Sequence, residues 1–134
     1  MRVMLDTNII VDIISKRKGY SESLAVLECC EEGYVEGYVS TTTVTDVMYI
    51  LRKQTAPNTV RDAMQTLLTI VDVSGVVKSD ITNAFLRDIR DFEDAVQASC
   101  AARNKMDYII TRNVMDFIKS PVPAILPDDF LKLL

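Results

Sequence analysis

The stretch Val3-Met4-Leu5-Asp6-Thr7-Asn8-Ile9-Ile10-Val11 decides how this chain folds. Its apolar start, residues 3–5, is long enough for a buried strand and too short for a helix. A polar turn follows, and apolar residues then recur at helical spacing. The stretch predicts a strand, a turn and a helix, with the Asp6 carboxylate at the carboxyl end of the strand. Ligands bind at that edge of an α/β sheet, although a lone Asp there usually only caps the helix.

Length and composition are those of a globular protein. The 134 residues correspond to one domain, residues 1–134, and the apolar and charged fractions of 49% and 25% are ordinary. No apolar run reaches the length of a membrane span. The first residues lack the basic and apolar regions of a secretory signal. We therefore expect a cytoplasmic protein that does not associate with a membrane.

The chain has no histidine, which limits its chemistry. Ser-His-Asp and Cys-His catalysis and most catalytic zinc sites are excluded. The three cysteines lack the spacing of a zinc site or a disulfide framework, and we expect them to be reduced. The net charge of −4 argues against a protein that coats nucleic acid, but it does not exclude a nuclease.

Strand and helix patterns alternate along the chain. Further strands are predicted at residues 37–40, 71–73, 108–111 and 124–126. A helix capped by Ser79 and Asp80 is predicted to continue through Ile89, and Asp91 to Asp94 open another. This alternation predicts an α/β fold of three layers, in which a parallel sheet of four to five strands has helices on both faces. Spacing alone does not set the strand order.

Three acids, Asp6, Asp46 and Asp116, are predicted to share one edge of this sheet, and Asp94 joins them only if the start of its helix folds back over that edge. Each has a simpler explanation, because Asp is common in first helical turns. Asp46 could form a capping box with Thr43, and Asp94 could share helix capping with Asp91. Like charges at 4 Å repel by about 4 kcal/mol at an effective dielectric of 20. Together the acids favour a hard divalent cation, Mg²⁺ or Mn²⁺, as their partner.

Four blocks of sequence, in this order, resemble the PIN domain family. They are Asp6-Thr7-Asn8 after an apolar strand, an acid in the helix after the second strand, Asp94-Ala95 in a helix of small residues, and Thr111-Arg112-Asn113-x-x-Asp116-Phe117. The likeness spans essentially the whole chain. It is to single-domain bacterial PIN proteins, including the VapC-type toxins of toxin–antitoxin pairs.

The resemblance implies a metal-dependent endoribonuclease. Asp6, Asp94 and Asp116 would bind one or two Mg²⁺ or Mn²⁺ ions, and Asp46 would bind directly or through water. The supporting polar residues would be Asn8, Thr111, Asn113 and Asp91. The family usually has Glu where this chain has Asp46, whose carboxylate reaches one methylene less far. Asp91 and Glu93 also flank Asp94, so more than one acid of that cluster could bind the metal.

The resemblance also implies partners: an RNA substrate, a cognate antitoxin whose tail covers the site, and a second copy in a homodimer. The helices over residues 20–34 and 46–53 are candidate dimer surfaces, although their apolar residues could equally be core. The substrate is expected to be single-stranded or looped RNA. Candidate phosphate-binding residues are Arg112, Arg52, Lys53, Lys16 to Lys18, Arg87 and Arg90.

Two other functions are compatible with acids at strand ends. The first is a PIN-fold module that binds RNA or protein with little catalysis, its site weakened by Asp46. The second is a phospho-accepting receiver, which requires an acceptor Asp at the end of the third strand and a Lys after the fifth. Here Asp72 lies within the predicted third strand and Pro127 follows the fifth, so the receiver is disfavoured.

Overall fold

A computed structural model describes residues Met1–Leu134. The strands are β1 Arg2–Leu5, β2 Glu36–Ser40, β3 Asp72–Ser74, β4 Tyr108–Ile110 and β5 Ala124–Ile125. The α-helices are α1 Thr7–Ser15, α2 Tyr20–Glu31, α3 Thr41–Leu51, α4 Pro57–Leu67, α5 Lys78–Ala84, α6 Phe92–Arg103 and α7 Pro127–Leu131. A 3₁₀ helix covers Val114–Phe117. None of these helices has the length and apolar character needed to cross a membrane.

The five strands form one parallel sheet in the order β3-β2-β1-β4-β5. The prediction of a parallel sheet is confirmed, and the structure supplies the strand order. The first strand lies at the centre, where Met4 pairs with Tyr38 of β2 and with Ile109 of β4. All five carboxyl ends therefore point to one edge, and Asp6 lies in the middle of that edge.

Helices cover both faces of the sheet, as predicted, because side chains of β1 alternate between the faces. Val3 and Leu5 pack into a larger core cluster with residues of α1, α2, α3, α4 and α7. Met4 faces the opposite way, into a smaller cluster that includes Ala98 and Ala101 of α6. The small residues of α6 let its backbone lie close to the sheet. Cys29, Cys30 and Cys100 are free thiols, as expected.

The start of α3 differs from the capping box suggested by the sequence. Ser40 is the N-cap, and its Oγ accepts a hydrogen bond from the Thr43 N–H at 3.2 Å. A capping box between Thr43 and Asp46 is therefore wrong. Asp46 lies in the second turn of α3, where its carboxylate is not needed to cap the helix.

The helix predicted from Ser79 through Ile89 is also shorter than expected. It begins at Lys78, and Asp80 Oδ2 accepts the Val77 N–H at 3.0 Å. Asp80 also pairs with Arg103 of α6, with 3.0 Å between Oδ1 and Nε. The helix ends at Ala84, and the side chain of Phe85 is exposed. The third strand likewise runs one residue later than predicted, and Asp72 is its first residue.

Gly37 lies where α2 approaches the sheet most closely. A Cβ atom on this residue would stand 2.6 Å from Cys30 Sγ and 2.9 Å from Val71 Cγ1. Atoms this close force side chains or backbone to move. The absence of a side chain at Gly37 is thus a packing requirement between β2 and α2.

We expect Gly37→Ala to lower the free energy of unfolding by about 1–3 kcal/mol, because it overpacks the core. Urea denaturation monitored by circular dichroism measures the change. Gly75→Ala is the matched control, since no atom lies within 4 Å of the Cβ it would introduce. An unchanged Gly37→Ala midpoint would contradict close packing at this position.

Candidate metal centre

A cavity of about 160 Å³ opens at the carboxyl edge of the sheet. Residues that follow β1 and β4 and residues in the starts of α1, α3 and α6 line it. The lining residues are Asp6, Thr7, Asn8, Thr42, Asp46, Ile50, Asp91, Glu93, Asp94, Gln97, Asn113 and Asp116. Six of them carry carboxylates and none is Lys or Arg. The four acids singled out in the sequence therefore meet at one cavity.

Asp6 lies at the back of this cavity and is only 4% exposed. Its Oδ1 accepts the Thr7 N–H at 2.8 Å, which caps α1, and its Oδ2 accepts the Thr111 hydroxyl at 2.8 Å. Burial raises the pKa of Asp6, and the hydrogen bonds from Thr111 and Thr7 oppose that rise. The capping role considered from the sequence is therefore real, and Asp6 also lines the cavity.

Asp94 projects from the first turn of α6. This helix starts at the carboxyl edge because it must return antiparallel to the sheet before β4. Burial raises the pKa of Asp94 to about 7, and the charges of Asp6, Asp91, Asp116 and Glu93 add to the rise. Near neutral pH, therefore, the Asp94 carboxyl group carries a proton in a fraction of the metal-free molecules.

Asp46 and Asp116 line the cavity from two other sides. Asp46 is partly buried on α3, and burial raises its pKa. The charge of Asp46 also raises the pKa of Glu93, which lines the same cavity. Asp116 is exposed on the 3₁₀ helix, where its N–H bonds to the Asn113 carbonyl at 3.0 Å.

The predicted supporting residues are also at this site. Asn8 and Asn113 line the cavity. Thr111 lies behind it, fully buried, and its Oγ1 also accepts the Asn113 N–H at 3.0 Å. Asp91 both lines the cavity and caps α6, since its Oδ1 accepts the Glu93 N–H at 3.0 Å.

Gln97 is a residue that the sequence reading missed. It lies one turn after Asp94 on α6, lines the cavity and is 4% exposed. Its buried Nε2 makes no hydrogen bond of good geometry, although the Gln97 side chain interacts with Asp6 and lowers the pKa of that carboxyl. An oxygen-bearing group inside the cavity would satisfy this donor. Gln97 follows Asp94 by three residues, a spacing that places both on the same face of a helix, and this could have indicated a site residue. The surrounding alanines instead indicated a face that only packs against the sheet.

The chemistry of the donors fits a hard divalent cation. All charged groups at the cavity are carboxylates, and oxygen ligands suit Mg²⁺ and Mn²⁺. No three of the acidic side chains are yet close enough together to hold an ion. The residues are thus gathered around one space rather than arranged as a finished coordination shell.

None of the predicted phosphate-binding residues lines the acidic cavity. Arg112 turns away from it, and its Nε lies 2.7 Å from Oδ2 of Asp12, a fully buried residue. Neither oxygen of Asp12 receives an aligned hydrogen bond, so the contact is an ion pair of imperfect geometry. Burial raises the pKa of Asp12, while the charges of Arg112 and Arg17 oppose the rise.

Comparison with known proteins assigns the family. A family model of the PIN domain matches residues 2–115. The chain belongs to the PIN domain family. No curated protein is significantly similar to it in sequence. The PIN-domain resemblance read from the four sequence blocks is therefore confirmed.

Solved structures of PIN toxins share the fold. VapBC2 from Rickettsia felis, bound to promoter DNA, has a TM-score of 0.74 and 18% identity, covering 94% of this chain and 98% of that chain. A toxin–antitoxin complex from Klebsiella pneumoniae has a TM-score of 0.72 and 23% identity, covering 93% and 97%. VapC20 of Mycobacterium tuberculosis, which cleaves the sarcin–ricin loop, has a TM-score of 0.65 and 13% identity, covering 80% and 86%.

The pKa of Asp94 makes the stability of this PIN domain depend on pH. Its value of about 7 exceeds the ordinary 3.8, so the native state binds the proton more tightly than the unfolded state. Stability from this group is therefore present below about pH 4 and is lost as pH rises through about 7.

We expect Asp94→Asn to raise the free energy of unfolding of the metal-free protein at pH 8 by about 1 kcal/mol, after allowance for solvent screening. The gain should shrink at pH 5, where the wild-type carboxyl is protonated. Urea titrations in EDTA at both pH values measure it. Asp62→Asn, an exposed acid of α4, is the control. An equal effect at both pH values would contradict the raised pKa.

The Thr111 hydroxyl has two hydrogen bonds that hold the Asp6 side chain and the Asn113 backbone. We expect Thr111→Val, which keeps the shape and removes the hydroxyl, to cost about 1–3 kcal/mol in unfolding free energy. Thr111→Ser keeps the hydroxyl and should lose less. Chemical denaturation of the wild type and the two variants measures these free energies of unfolding. Equal losses for Thr111→Val and Thr111→Ser would contradict a contribution from the hydroxyl group.

Proposed function

We propose that this PIN-domain protein is a divalent-metal-dependent endoribonuclease and the toxin of a toxin–antitoxin pair. The observation that carries the proposal is the cavity lined by six carboxylates and no basic side chain, at the carboxyl edge of a PIN fold. A site of this charge repels a phosphodiester unless cations neutralise it. This favours a metal-dependent reaction on nucleic acid.

Asp6, Asp94 and Asp116 would hold one or two Mg²⁺ or Mn²⁺ ions, with Asp46 as a further ligand. When bound, such an ion supplies a water of lowered pKa and stabilises charge on the attacked phosphate. Asp91 and Glu93 line the same cavity, and either could bind the metal in place of a neighbour.

The residues of the chain prepare the site before any cation arrives. Thr7 and Thr111 fix both oxygens of Asp6, so the least mobile carboxylate defines the position of the centre. Asp94 would release its proton on binding a cation, because the cation would take the place of the proton beside the carboxylate. The Nε2 group of Gln97 interacts with Asp6 but has no well-aligned partner, so it could also donate to an oxygen of a bound water or of a phosphate.

RNA is the proposed substrate, as single strands or loops of structured RNA. The likeness to VapC20, which cleaves the sarcin–ricin loop, supports this choice. Looped RNA displays unstacked bases that a protein surface can contact. A phosphodiester in such a loop can also approach a recessed cavity more easily than one in a duplex.

A cognate antitoxin and a second copy of the chain are the proposed partners. The neighbours from Rickettsia felis and Klebsiella pneumoniae are toxin–antitoxin assemblies, which supports the antitoxin. On the candidate dimer helices, residues such as Val26, Leu27 and Val47 belong to the core. The exposed aromatic side chains there are Tyr34 and Tyr49, which leaves a smaller surface for a dimer than the sequence suggested.

We expect Asp6→Asn and Asp94→Asn each to reduce Mn²⁺-dependent cleavage of a mixed RNA pool by at least roughly 100-fold. Loss of even an outer-shell partner of a metal costs about 10–100-fold, and these residues are proposed to bind the ion itself. Isothermal titration with Mn²⁺ should show weaker binding in both variants. Asp62→Asn, which removes a carboxylate outside the cavity, should retain activity and metal affinity.

The same assays separate the nuclease from its alternative. Mn²⁺ binding by the wild type without cleavage would support a PIN-fold binding module whose site is weakened by Asp46. Cleavage that persists in Asp6→Asn would overturn the assignment of this cavity as the catalytic centre.

A further inference from the structure

The acidic cavity continues into an open groove. Asp91 and Asp116 line both the cavity and an adjoining depression, which Arg90 also lines. A larger groove of about 580 Å³ shares Arg90 and Asp116 with that depression, and its other lining residues are Arg87, Asp88, Ile89, Met115, Ile118 and Lys119. The shared residues make one continuous surface between the end of α5 and the 3₁₀ helix.

Basic side chains appear only at one end of this surface. The acidic cavity contains none, whereas the groove beyond it is lined by Arg87, Arg90 and Lys119 together with two acids, Asp88 and Asp116. Arg90 is exposed and forms no ion pair or side-chain hydrogen bond within the chain. A polyanion in the groove would thus meet three cations and then reach the acids, where its charge requires a metal.

The other two basic groups of the groove are also available to a ligand. Arg87 donates from Nε to Ser99 Oγ at 2.6 Å, which holds the guanidinium in place and leaves its terminal nitrogens without protein partners. Lys119 lies 3.3 Å from Asp88, but both side chains are largely exposed. Exposed ion pairs of this kind contribute little and exchange readily with another anion.

The remaining basic candidates do not lead to the cavity. Arg112 is paired with the buried Asp12, and Arg52 lies over the Tyr49 ring with 3.6 Å to its centroid. The groove also has apolar surface between its cations, since Met115 and Ile118 are 73% and 67% exposed. Exposed apolar side chains next to phosphate-binding groups suit a nucleotide, which has a charged backbone and a flat apolar base face.

We propose that this groove binds the segment of single-stranded RNA that adjoins the phosphate at the acidic cavity. Arg87, Arg90 and Lys119 contact backbone phosphates, and Met115 and Ile118 pack against a base. The inference rests on the proposed nuclease function, because it takes the acidic cavity as the place where the strand is cut. It assigns a role to each part of the surface: the acidic cavity, once neutralised by a metal, receives the reacting phosphate, and the basic side chains bind the neighbouring phosphates.

The test is a double variant, Arg90→Ala with Lys119→Ala, measured against Lys78→Ala with Arg61→Ala. Both pairs remove two exposed positive charges, and the control pair lies outside the groove. Each is made in the Asp6→Asn background with Mn²⁺, so that the RNA stays intact. Fluorescence anisotropy of a labelled, mixed-sequence single-stranded RNA gives the dissociation constant at several salt concentrations.

We expect the groove variant to bind this RNA about tenfold more weakly, and the slope of log affinity against log salt to fall by about 1.4 in magnitude, roughly 0.7 per lost phosphate contact. The control variant should match its parent within about twofold. Equal affinities for the groove and control variants would overturn the proposal. Displacement of the RNA by poly-glutamate as effectively as by unlabelled RNA would also overturn it, in favour of an acidic peptide ligand.

Cleavage assays with the same variants made in the wild-type protein, which retains Asp6, distinguish this inference from the function on which it rests. Mn²⁺-dependent cleavage together with unchanged RNA affinity in the groove variant would leave the nuclease intact and overturn the groove. Loss of RNA affinity in the groove variant, without cleavage by any form of the protein, would support the groove and remove the nuclease.

Discussion

The hydrogen bond from Thr111 to Asp6 joins the carboxyl ends of β1, the central strand, and its neighbour β4, and the site depends on it. It is possible because β1 and β4 are parallel neighbours in which Leu5 pairs with Ile110. The next residues, Asp6 and Thr111, therefore lie side by side at the ends of the two strands. Met4 and Ile109 anchor the same pair of strands in the core below. The position of the first carboxylate is therefore fixed by the sheet rather than by a mobile loop.

The fold places five more carboxylates around this fixed one, and their negative charges repel one another. Burial and like charge act in the same direction on Asp94, whose pKa rises to about 7. Protonation reduces this repulsion in the metal-free protein, and a bound cation would reduce it in the same way. No lysine or arginine lines the cavity, so the protein offers no internal alternative. The absence of basic groups at the centre is as informative as the presence of acids.

The basic groups are displaced to the side rather than absent. Arg87 and Arg90 lie in the segment between α5 and α6, and that segment exists because α5 stops early, at Ala84. The short helix leaves a connection in which acids and cations are adjacent in sequence, from Arg87 to Asp94. The end of α5 therefore sets where the basic side chains lie relative to the acidic cavity.

Much of the fold and of the site could be predicted from local sequence. Apolar runs that end in polar turns indicated the strands, and parallel strands must bring their carboxyl ends together, which placed Asp6 and Asp116 correctly. Local sequence could not set the strand order, the start of α3 at Ser40, or the early end of α5. These features depend on residues that are far apart in the chain: the strands that pair with each other, and Asp80 and Arg103, which form the ion pair that accompanies the short α5. Gln97 and the Asp12–Arg112 pair were hidden for the same reason, because burial and partnership of a polar side chain are properties of the packed molecule.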